Sequence, residues 1–149
     1  MLFRSLDACF EDVIRACAEA PRPGQDGTWI VPEMEAAYTE LHHMGLAHSC
    51  EAWEGGELAG GVYGVSLGRA FFAESMFYRR ENAGKVALVM LARALDAWGF
   101  DCIDCQQSTP SSRRFGAREL PRAAFLGLLG KALEHPTRQG LWRMAGQGG

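Results

Sequence analysis

The sequence predicts a mixed α/β (α+β) domain, a mostly antiparallel sheet with one buried crossover helix. Three observations carry this. Apolar residues recur at helical spacing through the first 45 residues, three strand-like runs divided by tight glycine turns occupy residues 47 to 78, and a helix apolar on nearly every side then leads into a short strand. The chain has 149 residues, the size of one domain rather than two. Its 48% hydrophobic and 22% charged content excludes wholesale disorder.

Each element follows from local signals. Between Ser5 and Ala20, the residues Leu6, Cys9, Phe10, Val13, Ile14 and Cys17 form one helical face, with Ser5 as the expected N-cap and Pro21, Pro23 and Gly24 as the stop. Pro32, suited to a first helical turn, opens a second helix through Glu33, Met34, Ala37, Tyr38 and Leu41 to Gly45. Residues 47–53, 58–67 and 70–78 read as an antiparallel meander whose turns are Glu54-Gly55-Gly56-Glu57 and Gly68-Arg69. Asn82 is expected to cap a third helix running to about Trp98, and Val86, Leu88, Val89, Leu91, Ala92 and Leu95 make it a buried one. Gly99 stops it. Residues 100–106 then read as a short strand, parallel to its predecessor because a helix crosses between them. Pro121 opens a last helix through Phe125, Leu126, Leu128 and Leu129, and residues 134–149 read as a Gly-rich, flexible tail on a single domain spanning 1–149.

Charge is unevenly distributed. Residues 1–60 hold 3 Arg against 11 Asp or Glu, whereas residues 61–149 hold 12 Lys or Arg against 7 Asp or Glu. Arg113, Arg114, Arg118 and Arg122 fall within ten residues, and 13 of the 15 basic residues are Arg, the side chain suited to bidentate phosphate contact. A phosphate or nucleic-acid partner is one reading of that cluster and a solvated basic face is the other. No apolar run approaches the roughly 20 residues of a membrane helix, and Arg4 and Asp7 interrupt the first ten residues, so a cytoplasmic protein without membrane contact is expected. The five cysteines are odd in number and scattered, which favours reduced thiols. Cys102 and Cys105 form a C-x-x-C pair without the two further ligands of a zinc site, so no metal is expected.

Several residues stand out chemically. Glu74 lies in Phe71-Phe72-Ala73-Glu74-Ser75-Met76-Phe77, a carboxylate among large apolar neighbours that requires a partner or a role. Asp104 and Gln106 occupy alternate positions of the expected strand and so face one side of the sheet. They read either as an acid and an amide sharing a cleft or as structural partners of an arginine and of nearby backbone. Trp29 precedes the second helix, as a core anchor or as an exposed platform for a base. His48 and Ser49 lack an acid at informative spacing and Gly-x-Ser-x-Gly is absent, which argues against a serine nucleophile. Arg79-Arg80-Glu81-Asn82-Ala83-Gly84-Lys85 lies between a strand and a helix, where an anion would be favoured, but it holds one glycine only.

The layout is similar to a GNAT-like acyltransferase core. More specifically, Gly27-Thr28-Trp29-Ile30, Ala37-Tyr38 with Leu41-His42, Ala47-His48-Ser49 with Glu51 and Trp53, Glu57-Leu58 with Gly60-Gly61 and Tyr63-Gly64-Val65, Glu74-Ser75-Met76-Phe77, Ile103-Asp104-Cys105-Gln106 and residues 116–122 form an ordered set. The set resembles the leucyl/phenylalanyl-tRNA-protein transferases from about residue 8 to residue 130. That resemblance implies transfer of Leu, Phe or Met from a charged tRNA to the N-terminal Arg or Lys of a protein, which marks the protein for degradation through the N-degron route. It implies Glu74, Asp104 and Gln106 as catalytic residues. Trp29 would stack on the 3′-terminal adenosine, Tyr38 would lie in the substrate site, and Val62, Phe71, Met76, Leu88 and Leu91 would line the apolar amino-acid pocket. Arg113, Arg114 and Arg118 would meet tRNA phosphates. The expected partners are the 3′ end of an aminoacyl-tRNA and an acceptor protein or peptide N-terminus, with no cofactor.

Departures accompany the matches. Ala73 stands where the family has Gly, Gly84 where it has Ser, and Ser111-Ser112-Arg113-Arg114-Phe115 replaces a His-Leu-x-Ser-Leu segment. The chain is expected to begin after the family's N-terminal domain, so a partner supplying that domain belongs among the expected partners. Alternative readings are a diverged aminoacyl-tRNA-dependent transferase acting on a small amine or peptide, a coenzyme A-dependent N-acyltransferase, which needs a phosphate loop richer in backbone donors than residues 79–85, and a non-catalytic module that binds N-terminal residues.

Overall fold

A computed structural model describes residues 2–21, 24 and 26–148. In chain order the elements are β1 (Leu2–Leu6), α1 (Phe10–Glu19), α2 (Pro32–His43), β2 (Ala47–Glu54), β3 (Glu57–Leu67), β4 (Ala70–Tyr78), α3 (Ala83–Ala97), β5 (Cys102–Asp104), α4 (Pro110–Arg114) and α5 (Arg122–Leu133). The five strands form one sheet in sequence order. Successive pairs from β1 to β4 are antiparallel, and β5 joins β4 in parallel after the α3 crossover, as expected. No helix among the described residues is long and apolar enough to cross a membrane.

Two apolar clusters flank the sheet. Phe10, Val13, Ile14 and Cys17 of α1 pack with Ala47, Tyr63 and Phe77. Ala83, Ala87, Leu91 and Leu95 of α3 pack with Leu6, Cys50, Ala52, Val62 and Phe71. Phe71 and Phe77 are six residues apart on one strand yet belong to different clusters. A bulge explains this: Tyr63 opposes Ser75 while Gly64 opposes Ala73, so Glu74 is an extra residue that reverses the alternation. Gly60 lets α3 approach the sheet, because a Cβ there would sit 2.6 Å from the Gly84 amide nitrogen.

Three local expectations are corrected. The stretch assigned to the start of a first helix is an edge strand, and Ser5 is not a cap: its hydroxyl donates to the buried Glu51 carboxylate. Leu6 fits helical spacing with Cys9 and Phe10, but five residues are too few for strand alternation to compete with that pattern. Asn82 occupies the position before α3 in a left-handed conformation (φ 63°) and its side chain makes no cap bond. The expected Gly-rich tail is packed: Trp142 is 2% exposed and stacks on His48 at 3.6 Å. Of the remaining expectations, Pro23 and the terminal Gly149 lie outside the described residues.

Two buried polar groups tie the sheet to its surroundings. Glu51 accepts from the hydroxyls of Ser5 and Ser49, and burial pushes its carboxyl above the usual range against these bonds. Asp7 lies 2.7 Å from His48 Nδ1 and accepts from the amides of Ser49 (2.9 Å) and Trp142 (2.8 Å). His48 Nε2 faces the Gly45 carbonyl at 3.0 Å, so both ring nitrogens of this buried imidazole face oxygen acceptors.

Candidate active site

The site arises where two parallel strands part. The strands β4 and β5 pair only over Ala70–Phe72 and Cys102–Asp104 and then separate. Glu74 stands in the bulge just past the fork on β4, the kind of place where a bulge re-aims a side chain. Asp104 ends β5, and Gln106 follows in a left-handed conformation (φ 62°). The strand is therefore shorter than expected, and a turn rather than strand alternation brings Asp104 and Gln106 together. The Gln106 amide donates to Asp104 Oδ1 at 2.8 Å, a local bond typical of Asp in turns. Across the fork, Gln106 Nε2 donates to the Ala73 carbonyl at 3.2 Å. This fixes the orientation of the carboxamide and leaves its oxygen without a partner among the described residues.

Glu74 is half-buried rather than sealed in the core. Its carboxylate interacts with the Tyr38 phenol, which burial first, and then the charge and hydrogen bond of Glu74, push up to about 12. The Trp29 ring meets Tyr38 edge-on at 6.3 Å, and Tyr38 meets Tyr63 at 5.4 Å. With 42% of its surface exposed, Trp29 keeps area on which a planar group can stack. Contacts thus run from Trp29 through Tyr38 to Glu74, and from Asp104 through Gln106 to Ala73, the residue before Glu74.

The apolar residues divide. Val62, Phe71 and Leu91 are sealed in the core at 1% exposure or less, whereas Met76 and Leu88 lie half-buried at its margin. A cleft of about 630 Å³ opens beside the strand end and holds Asp104, Gln106, Arg118 and Arg122, with Phe125 and Leu128 of α5 as an apolar wall. Sequence reasoning missed that wall. The signal in the sequence was the apolar run from Phe125 to Leu129; the fold buries only Ala132 of α5, which leaves that run available to line a cleft.

The arginines divide as well. Arg113 is held by Glu119 (3.0 Å) and by the Ser108 hydroxyl (2.8 Å), and a hydrogen bond from Ser108 first, then the bond and charge of Arg113, draw the Glu119 carboxyl below its usual range. Arg114 is exposed, and Arg118 lines the cleft. Residues 79–85 do not form an open anion loop. The amides of Arg79 and Arg80 both point to the Ala59 carbonyl, Arg80 pairs with Glu54 at 3.3 Å, and Ala83 and Gly84 are buried. Cys102 and Cys105 flank Asp104 as half-buried free thiols, raised chiefly by burial.

Comparison with known proteins agrees with this architecture. A GNAT family acetyltransferase from Brucella melitensis, solved in complex with acetyl-CoA, superposes with a TM-score of 0.64 at 15% identity over 80% of this chain and 84% of that one. An aminoglycoside acetyltransferase from an uncultured soil metagenomic sample gives 0.57 at 19% identity, over 81% of this chain and 94% of that one. These likenesses establish a GNAT-like fold. In sequence, the leucyl/phenylalanyl-tRNA–protein transferase of Nitratidesulfovibrio vulgaris (strain DP4) is 59% identical over 139 residues, covering 93% of this chain and 59% of the relative. That of Anaeromyxobacter sp. (strain Fw109-5) is 61% identical over 136 residues, covering 91% and 58%. The chain thus spans about three fifths of the length of these curated relatives. The family model for leucyl/phenylalanyl-tRNA protein transferase matches residues 3–130, and the chain belongs to that family.

Proposed function

We propose that this chain, as a single aminoacyltransferase domain over 1–149 acting in the cytoplasm, moves Leu, Phe or Met from a charged tRNA to the α-amine of an N-terminal Arg or Lys. The observation that carries this reading is the bridged fork. Gln106 is held by Ala73 on one side and by Asp104 on the other, so its carboxamide oxygen is a fixed acceptor for an amine N–H. The ester of an aminoacyl-tRNA is already activated, and the remaining tasks are positioning and proton removal. Trp29 stacks on the terminal adenosine, and Tyr38 and Glu74 hold the aminoacyl end. Gln106 and Asp104 orient the acceptor amine and assist loss of its proton. The amine nitrogen bonds to the ester carbonyl carbon, the carbon–oxygen bond to the ribose breaks, and the displaced proton ends on the ribose oxygen. Met76 and Leu88 offer the aminoacyl side chain an apolar margin over the core built by Val62, Phe71 and Leu91. Arg114 and Arg118 meet tRNA phosphates, Arg118 nearest the reacting end.

The test is transfer of labelled Leu, Phe and Met from their tRNAs to a peptide beginning with Arg. Gln106→Ala is expected to slow transfer by about 10²-fold or more, the usual range for a positioned proton-transfer group, with an unchanged thermal midpoint. An unaltered rate removes Gln106 from the mechanism. Absence of transfer to any acceptor by the parent chain refutes the reading.

A further inference from the structure

We propose that the outer edge of β1 is a docking site for an extended polypeptide segment. The segment would add a strand to the sheet and carry acidic side chains toward α3. Leu6 reveals what this edge accepts. Its amide donates to Gln147 Oε1 at 3.0 Å and its carbonyl accepts from Gln147 Nε2 at 2.8 Å, the same pair of bonds that a residue of a neighbouring strand would make. The Asp7 amide bonds the other way, to the Ser49 carbonyl of β2 at 3.0 Å. Strand alternation therefore turns the backbone groups of Leu2 and Arg4 outward with those of Leu6. Among the described residues the outward groups of Leu2 and Arg4 have no partner, so Gln147 closes one end of an edge whose other end is open.

Grooves accompany the edge on both faces of the sheet. On the α3 side lies a cavity of about 730 Å³ walled by Leu2, Leu6 and Trp98. On the opposite side lies one of about 540 Å³ between Phe3 and Trp53. Side chains of an added strand alternate between faces, so successive residues would enter the two grooves in turn. Charge decides what they carry. The α3-side groove is rimmed by Arg4, Arg93 and Arg143, and none of the three has a carboxylate within ion-pair distance among the described residues. Arg4 instead makes a 3.5 Å contact to the Met90 sulfur. The opposite groove has no charged residue in its lining. The fitting partner is thus a protein strand that alternates acidic and small apolar residues. The open amides and carbonyls favour polypeptide over nucleic acid, which offers no matching ladder of backbone bonds.

A seven-residue peptide of alternating Val and Glu with blocked ends, titrated into the ¹⁵N-labelled chain, tests this. The expected result is shifted amide resonances of Leu2 and Arg4 and slowed hydrogen exchange at both. The charge reversals Arg93→Glu and Arg143→Glu together should weaken binding by about tenfold or more. Both side chains are exposed, so the variant is expected to fold, and its spectrum away from β1 reports on that. A peptide alternating Val and Lys should bind correspondingly less well. Unshifted Leu2 and Arg4 amides at millimolar peptide overturn the proposal. So does equal binding by the charge-reversed variant, or displacement of the peptide by a single-stranded RNA oligonucleotide.

Discussion

Replacing Trp142 by Ala is the sharpest test of how the chain closes its core. The indole is 2% exposed, lies parallel to the His48 ring at 3.6 Å, and meets Trp98 edge-on at 5.0 Å, with Phe71 and Phe100 about 6 Å away. Its Nε1 donates to the Arg138 carbonyl at 3.0 Å. Removing a buried Trp costs roughly 3–5 kcal/mol in transfer and cavity terms, and the lost hydrogen bond adds about 1 kcal/mol. Partial collapse of the site offsets some of this, so about 4 kcal/mol is expected. For a domain of this size that lowers Tm by about 8–16 °C. Trp142→Phe keeps a ring over His48 and loses the indole N–H, so about 1–2 kcal/mol is expected. Urea denaturation and calorimetry on the three proteins measure both. A Trp142→Ala midpoint within about 1 kcal/mol of the parent would refute the reasoning, because segment 134–148 would then not be part of the core.

Other perturbations probe separate interactions. Burial raises the Glu51 carboxyl above its ordinary 4.5, so the folded state holds that proton more tightly than the unfolded chain does. Its contribution is full below about pH 4.5 and is lost as pH rises through the raised folded value. Glu51→Gln should therefore gain stability relative to the parent between pH 4 and pH 8, and parallel stability curves would contradict this. A methyl group at Gly64 would fall 2.2 Å from the Phe72 carbonyl oxygen. Gly64→Ala should accordingly cost about 3 kcal/mol, and an unchanged urea midpoint would show that the strands beside the bulge are less closely packed. The Arg113–Glu119 pair, 63% and 71% exposed, should show a coupling close to zero in a double-mutant cycle, because solvent screens it. A larger coupling would mean that the loop beyond Gln106 depends on it.

Elements whose signals are local and repeated were legible in the sequence. The spacing of apolar residues located α2, α3 and α5, glycine turns delimited β2 to β4, and the crossover argument placed β5 parallel to β4. The GNAT-like fold followed from their order, and an ordered set of motifs pointed to the family and to Trp29, Glu74, Asp104 and Gln106. Other features were not legible, because their cause lies far away in the chain. Strand β1 exists because β2 pairs with it, and Trp142 is core because His48 and Trp98 wait for it. Phe71 and Phe77 part company only because one extra residue enters the ladder at Glu74. The sequence by itself thus determined every element except β1 and α4, the order of those it located, and the residue types available for chemistry. Tertiary structure alone decided that Gln106 bridges to Ala73, that Val62, Phe71 and Leu91 are sealed in the core, and that α5 supplies a wall of the cleft. Periodicity and turn chemistry act over a few residues, whereas a fork, a bulge or a closed core forms only when segments tens of residues apart meet.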